Sequence, residues 1–244
     1  MNTTSSSLHS LGGLRVAVTG GTSGLGLALV RALHAGGAQV AFVARDAARV
    51  GRLARELPGS HGIAGDVSIK EDAHRIALQI TGALGGLDVL VNNASTLGPV
   101  PLALLADTEC EDFEAALATN LLGPFRLTKT LLGALAASAR EHLPPRAALV
   151  VNIGSDAGVT PYANWGAYGA SKAALIHLSR IWNEELEPHD VRVLAFDPGD
   201  MDTPMHAAAL PDTDPATLKR PADAARELLA LIAEQTAARQ EERA

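Results

Sequence analysis

A single cysteine, Cys110, is all that 244 residues contain, which excludes an internal disulfide and a cysteine-built metal site and fits a reducing, cytoplasmic compartment. Long apolar runs are missing as well. No stretch approaches the ~18 residues that a membrane span requires. The Ser/Thr-rich start, Met1 to Ser10, lacks a charged segment followed by an apolar one, so it reads as a flexible tail rather than a leader. Positive charge is short: 20 Lys and Arg stand against 27 Asp and Glu, a net charge of −7. That balance argues against a nucleic-acid partner and makes acidic acyl carrier proteins less attractive ones. The eight histidines, His177 among them, have no metal-ligand spacing with a partner, and no metal is expected.

What remains is a globular composition, 47% hydrophobic and 19% charged, able to bury a sizeable core. No linker, repeat or low-complexity core segment interrupts it, so residues 11–244 read as one domain. Val- and Leu-rich runs alternate with helical stretches. Strands are predicted at Leu14 to Val18, Ala38 to Ala44, His61 to Val67, Leu87 to Val91, Ala147 to Ile153 and Val191 to Phe196. Helices are predicted at Leu27 to Ala35, Asp46 to about Leu57, after Ser68 to about Leu84, Thr108 to about Ser138, Trp165 to Glu187, and Pro221 to about Gln240. Asp46 is placed as an N-cap. Ser68-Ile69-Lys70-Glu71 and Thr108-Glu109-Cys110-Glu111 have capping-box spacing. The helix through Asn120 is expected to be disturbed at Gly123-Pro124. Such alternation demands a parallel sheet covered on both faces, a doubly wound α/β fold.

Two stretches carry chemistry. Thr19-Gly20-Gly21-Thr22-Ser23-Gly24-Leu25-Gly26 joins the first strand to a helix. Glycines there let an anion approach the backbone, and a helix N-terminus holds it, although the spacing departs from G-x-G-x-x-G. Further on, Tyr168 and Lys172 lie four apart on one helical face, thirteen residues after Ser155. A phenol titrates near ~10; an ammonium one turn away is expected to draw that value down. Ser155 offers a hydroxyl to hold a substrate oxygen beside it, giving a general acid/base, its activator and an anchor. The alternative is a chance pairing on a solvated face.

Taken in order, the Thr19 to Gly26 turn, Asp66, Asn92-Asn93-Ala94, Asn120, the Ser155, Tyr168 and Lys172 set, and Pro198-Gly199 with Thr203 resemble the short-chain dehydrogenase/reductase family over roughly Leu14 to Thr203. The resemblance implies a Rossmann-type sheet of order 3-2-1-4-5-6. It places the pyrophosphate and adenosine ribose on Gly20, Thr22, Ser23, Gly24, Leu25 and Gly26, and the adenine against Asp66 and the Val67 backbone. Asn93, Ala94 and Ser95 would line the nicotinamide side. Lys172 would bind the nicotinamide ribose, Asn120 would bend its helix and hold a water leading from Lys172 to solvent, and Thr203 with the Met201 backbone would hold the carboxamide. At the end of the second strand, Ala44 and Arg45 replace the acid that would select NAD, so NADP(H) is expected, with NAD(H) as the alternative.

The chain also departs from the family. Ser95 replaces a usual glycine, Asp156 follows Ser155 directly, and Asp200 and Asp202 add acids near the mouth. Thr236 to Ala244 shows no seventh, glycine-rich strand, so six strands and a homodimer rather than a tetramer are expected. Substrate would meet Thr96 to Ala106, Asp156 to Trp165, and a mobile lid within Asp200 to Pro211. The implied activity is interconversion of a small-molecule ketone or aldehyde with an alcohol, with Tyr168 as acid/base. A 3-ketoacyl thioester reductase and a non-catalytic redox sensor are the rivals.

Overall fold

The computed structural model describes residues 11–141 and 147–237; the predicted tail at 1–10 and the chain end beyond Ala237 lie outside them. Six parallel strands form one sheet, β1 (Arg15–Thr19), β2 (Gln39–Ala44), β3 (His61–Ala64), β4 (Val89–Asn92), β5 (Ala148–Ile153) and β6 (Val191–Phe196). Their order is β3-β2-β1-β4-β5-β6, as the resemblance implied. The helices are α1 (Gly24–Ala35), α2 (Ala47–Glu56), α3 (Lys70–Leu84), α4 (Cys110–Leu117), α5 (Gly123–Glu141), α6 (Gly166–Leu186), α7 (Pro204–Ala209) and α8 (Pro221–Ala237).

Side-chain alternation along each strand divides the core between the two faces. Val16, Val18, Val40, Phe42, Leu149 and Val151 face α1 and α8 through Leu29, Leu33, Leu228 and Ile232. Ala17, Ala41, Val43, Leu90 and Val150 face α3 and α5 through Ile76, Ile80, Leu127, Leu131 and Leu135. Because every strand runs the same way, all six carboxyl ends open on one edge, where ligands of such sheets bind. At the opposite edge, Arg15 clasps the buried Asp88 through Nη2 at 2.9 Å and Nε at 3.2 Å, and Nη2 also reaches Glu141 at 3.1 Å.

Several local expectations are corrected. α1 begins at Gly24, three residues before the predicted Leu27, because Gly24 takes φ +49° and still enters the helix. β3 ends at Ala64 rather than Val67. Neither capping box forms. Ser68 donates both N–H and Oγ to Asp66 Oδ1, at 2.9 and 2.7 Å, and Ile69 takes the cap position without a side-chain bond. Thr108 Oγ1 turns back to the Leu104 carbonyl at 2.9 Å. Asp46 does cap α2, accepting the Arg49 N–H at 3.0 Å.

The disturbance predicted at Gly123-Pro124 falls one turn earlier, as a π-helical turn over Ala118–Leu122. Pro124 has no N–H to return to the Asn120 carbonyl four residues back, and widening the turn relieves the broken ladder.

Candidate active site

Along the carboxyl edge runs a cavity of about 680 Å³, lined at one end by Arg45, Arg49 and Asp66 and at the other by Ser155, Tyr168 and Lys172. The turn after β1 forms its floor. Gly20 has φ +69°, and a side chain there would put Cβ 2.8 Å from Asn93 Nδ2 and 3.0 Å from Ala94 Cα. A Cβ at Gly26 would strike the Gly20 carbonyl oxygen. These contacts bring Asn93 and Ala94 against the turn, and Asn93 Nδ2 secures it by donating to the Thr19 carbonyl at 2.9 Å. Leu27 N–H bonds back to Ser23 O at 3.1 Å, and the Ser23 side chain makes no cap. The N–H groups of the first α1 turn are thus left for an anion. A closely packed glycine cradle, open donors and a cavity running on to Tyr168 fit a dinucleotide.

All the sequence-predicted cofactor residues except Gly26 line this cavity: Gly20, Thr22, Ser23, Gly24 and Leu25 in the turn, Arg45, Asp66 and Val67 at the end beyond β2 and β3, Asn93, Ala94 and Ser95 in the middle, and Pro198, Gly199, Met201 and Thr203 opposite. Gly26 lies beneath, where its missing side chain sets the spacing. Arg45 is exposed and lies with Arg49 at the end beyond β2. Thr203 is occupied as the cap of α7, accepting the His206 N–H at 3.2 Å. The segment expected as a lid is therefore an N-capped helix, Pro204–Ala209.

Ser155 ends the loop after β5, and Tyr168 and Lys172 rise from α6 beside it. Lys172 is buried, donates to the Ile153 carbonyl at 2.7 Å, and sits 5.5 Å from the centre of the Tyr168 ring. Burial lowers the Lys172 pKa to about 8, with Asp197 pulling back upward. Tyr168 departs from expectation. Burial pushes its phenol up to about 12, the hydrogen bond with Ser155 pulls down, and Asp197, Asp156 and Asp200 push up again. The lysine was expected to make this phenol acidic; desolvation and three carboxylates raise it instead. A protonated phenol is the state a proton donor needs.

Ser155 Oγ accepts the Ala157 N–H at 3.2 Å and donates to Asp156 Oδ1 at 3.2 Å. The other carboxylate oxygen, Oδ2, takes the Tyr162 hydroxyl at 2.8 Å, which holds that phenol's pKa above its ordinary value.

Asn120 lies behind the cavity, fully buried in the π turn. Its Oδ1 accepts from Thr96 N at 2.8 Å and Ser95 Oγ at 3.0 Å. Its Nδ2 donates to Thr96 O at 2.8 Å and Ser171 Oγ at 2.9 Å. With the side chain so engaged, a relay water would depend on its main-chain carbonyl. The amide ties the loop after β4 to α6, and Ser95, where the family has glycine, adds one of the ties.

Arg49, Asp197 and Lys219 escaped the sequence reading. Arg49 follows Arg45 by four residues, in the first turn of α2, a position that could have marked it. Lys219 is distant in sequence, yet its Nζ holds the Pro198 carbonyl at 3.0 Å and Glu227 at 2.8 Å, so no local signal pointed to it. Among the described residues, no group of three or more His, Cys, Asp or Glu could hold a metal ion, and no helix is long and apolar enough to cross a membrane.

Comparison with known proteins agrees with this geometry. Residues 15–214 match the family model described as short chain dehydrogenase. The chain is 32% identical to L-xylulose reductase of Bos taurus over 206 residues, 84% of this chain and 79% of that protein. It is similar in structure to a 3-ketoacyl-(acyl-carrier-protein) reductase from Brucella melitensis complexed with NADH, with a TM-score of 0.83, 27% identity and 91% of each chain covered. A short chain dehydrogenase from Shigella flexneri complexed with NADP gives a TM-score of 0.80 at 26% identity, with 93% of each chain covered. Matched along most of its length by that family model, and carrying the cradle and the Ser155, Tyr168 and Lys172 set in one cavity, this chain belongs to the short-chain dehydrogenase family of NAD(P)-dependent oxidoreductases that interconvert carbonyls and alcohols.

Proposed function

We propose that the protein acts as an NADPH-dependent reductase of a small ketone or aldehyde, as one domain over residues 11–244, in the cytoplasm and as a homodimer. The observation that carries the reading is the shared position of the Ser155 hydroxyl and the Tyr168 phenol at one end of a cavity whose other end is the glycine cradle. The dinucleotide, when bound, supplies the hydride. Ser155 and Tyr168 hold the substrate oxygen while negative charge builds on it, and Tyr168 gives that oxygen its proton. Lys172 steadies the phenolate left behind. A phenol raised to about 12 stays protonated at neutral pH, the state from which it can give a proton.

Arg45 and Arg49, with no acid at Ala44, support NADP(H) over NAD(H): a guanidinium there pairs with a 2′-phosphate. The dimer is supported by Leu122 and Ile181, 39% and 42% exposed, beside the ring pair of Phe125 and Trp182 at 6.0 Å. The similarity to L-xylulose reductase supports a hydroxylated substrate. The similarity to a 3-ketoacyl reductase keeps a ketoacyl thioester as the second reading, against which stand three carboxylates at the catalytic end and the net charge of −7.

The test is NADPH consumption across a panel of ketones, ketoses and acetoacetyl thioesters, with Tyr168→Phe alongside. Retained turnover in that variant would overturn the role of the phenol. Sedimentation of the purified protein at a monomer's mass would overturn the dimer.

A further inference from the structure

Asp156 stands beside the anchor hydroxyl with one oxygen incompletely used. Its Oδ2 is taken by Tyr162 at 2.8 Å, which fixes the carboxylate. Its Oδ1 receives only the Ser155 hydroxyl, at 3.2 Å, long for a charge-assisted O–H···O⁻ bond, which settles near ~2.6 Å. Among the described residues no protein donor reaches the second lone pair on Oδ1, and both side chains line the cavity. Lys172 makes no bond to it; its ammonium donates to the Ile153 carbonyl and stands 5.5 Å from the centre of the Tyr168 ring. Arg45 and Arg49 lie at the far end.

We propose that Asp156 is a specificity-determining residue, its Oδ1 accepting a hydrogen bond from a donor on the carbon next to the one being reduced. The substrate class is then an α-hydroxy ketone or aldehyde, with the matching 1,2-diol as product; this rests on the reductase reading above. The geometry follows from the anchor. When Ser155 turns its single hydroxyl proton from Oδ1 to the reacting oxygen, Oδ1 is left beside that anchor, within reach of a donor on the neighbouring carbon.

A plain ketone leaves the carboxylate without that donor. A 3-ketoacyl thioester is worse, since its second carbonyl is an acceptor facing an acceptor. Where bound substrate displaces water from the carboxylate, a bond left unmade weighs against the wrong substrate. Because Asp156 is exposed, the discrimination expected is about 10- to 100-fold, below what a fully buried site achieves.

Kinetics with NADPH should compare 3-hydroxy-2-butanone with 2-butanone and an acetoacetyl thioester, in the wild type and in Asp156→Ala. Since hydroxy ketones are intrinsically more reactive, the readout is the change in the kcat/KM ratio between proteins. The ratio of hydroxy to plain ketone is expected to fall at least tenfold in Asp156→Ala, mostly through KM for the hydroxy ketone. Fluorescence titration with NADPH verifies the fold. Should that variant not fold, Tyr162→Phe, which frees Oδ2 as a second acceptor, is expected to hold or raise the ratio.

A ratio equal within twofold in wild type and Asp156→Ala overturns the inference while leaving the reductase reading intact. So does a collapse of the ratio in Tyr162→Phe. No turnover of any ketone overturns both. In the reverse direction, 2,3-butanediol outpacing 2-butanol supports the assignment, whereas parity of the two, or 3-amino-2-butanol alone outpacing 2-butanol, overturns it.

Discussion

The charge on Lys172 gives the sharpest quantitative test. Its Nζ is 5.5 Å from the centre of the Tyr168 ring, and at an effective dielectric of ~20 two unit charges at that separation interact by about 3 kcal/mol, roughly a hundredfold in rate. Proton delivery by Tyr168 leaves a phenolate, so the ammonium lowers the barrier only while it stays protonated. Its pKa is lowered to about 8, and kcat/KM reports groups of the free enzyme. Reduction should therefore hold level from pH 6 to 7.5, then fall as pH rises through 8, losing about a hundredfold before levelling near pH 10. Tyr168, at about 12, stays protonated throughout and adds no break. The assay is initial-rate loss of reduced-nicotinamide absorbance at subsaturating substrate, with buffers of constant ionic strength. Lys172→Arg sharpens it, because a guanidinium keeps its charge across the whole range. Whatever that variant's absolute rate, its fall at pH 8 should vanish. A level wild-type profile to pH 10, or the same break in Lys172→Arg, would refute the reasoning.

Other outcomes follow from the same geometry. Tyr168→Phe should lower kcat by at least about a thousandfold, the scale of a lost general acid, while NADPH binding by fluorescence titration stays within a few-fold. Arg45→Ala should raise KM for NADPH about tenfold and leave NADH nearly unchanged, since a surface charge-assisted bond is worth about 1.5 kcal/mol; equal effects on both dinucleotides would remove the 2′-phosphate assignment. Gly26→Ala forces a Cβ into the Gly20 carbonyl, so dinucleotide binding should be lost, and calorimetric titration of a folded variant at wild-type affinity would contradict it. Asp88→Ala removes the two-pronged partner of Arg15, whose side chain is 14% exposed, and leaves it Glu141 and Ser138; the loss of charge-assisted bonds should cost about 2 kcal/mol, read as a Tm lower by about 4–8 °C.

The fold was legible because its signals are local and repeated. Val- and Leu-rich runs separated by helical patterns at six places leave a parallel sheet as the economical solution, and the strand order came with the family resemblance. Tyr168, Lys172 and Ser155 were legible for a related reason, since two of them share a helical face and the third ends a strand. Electrostatics were not. The effect of Lys172 on Tyr168 was readable as a pair, but the burial of that phenol and the three carboxylates around it come from loops after different strands. The capping boxes failed because their spacing says nothing of nearer competitors: Asp66 captured Ser68, and the Leu104 carbonyl captured Thr108. Pro124 did mark a break, but the break appears where its missing N–H is felt, at Asn120, rather than at the proline. Lys219 was invisible because its partners lie across a fold that only assembly brings together.

The π turn at Ala118–Leu122 has a mechanical consequence. One surplus residue in that coil swings the Asn120 amide inward, where it rivets the loop after β4 to the helix bearing Tyr168. A shift of that loop is thereby carried to the helix, and a shift of the helix to the loop. Excising a single residue from the coil would restore an ordinary helix, turn Asn120 away, and uncouple the two.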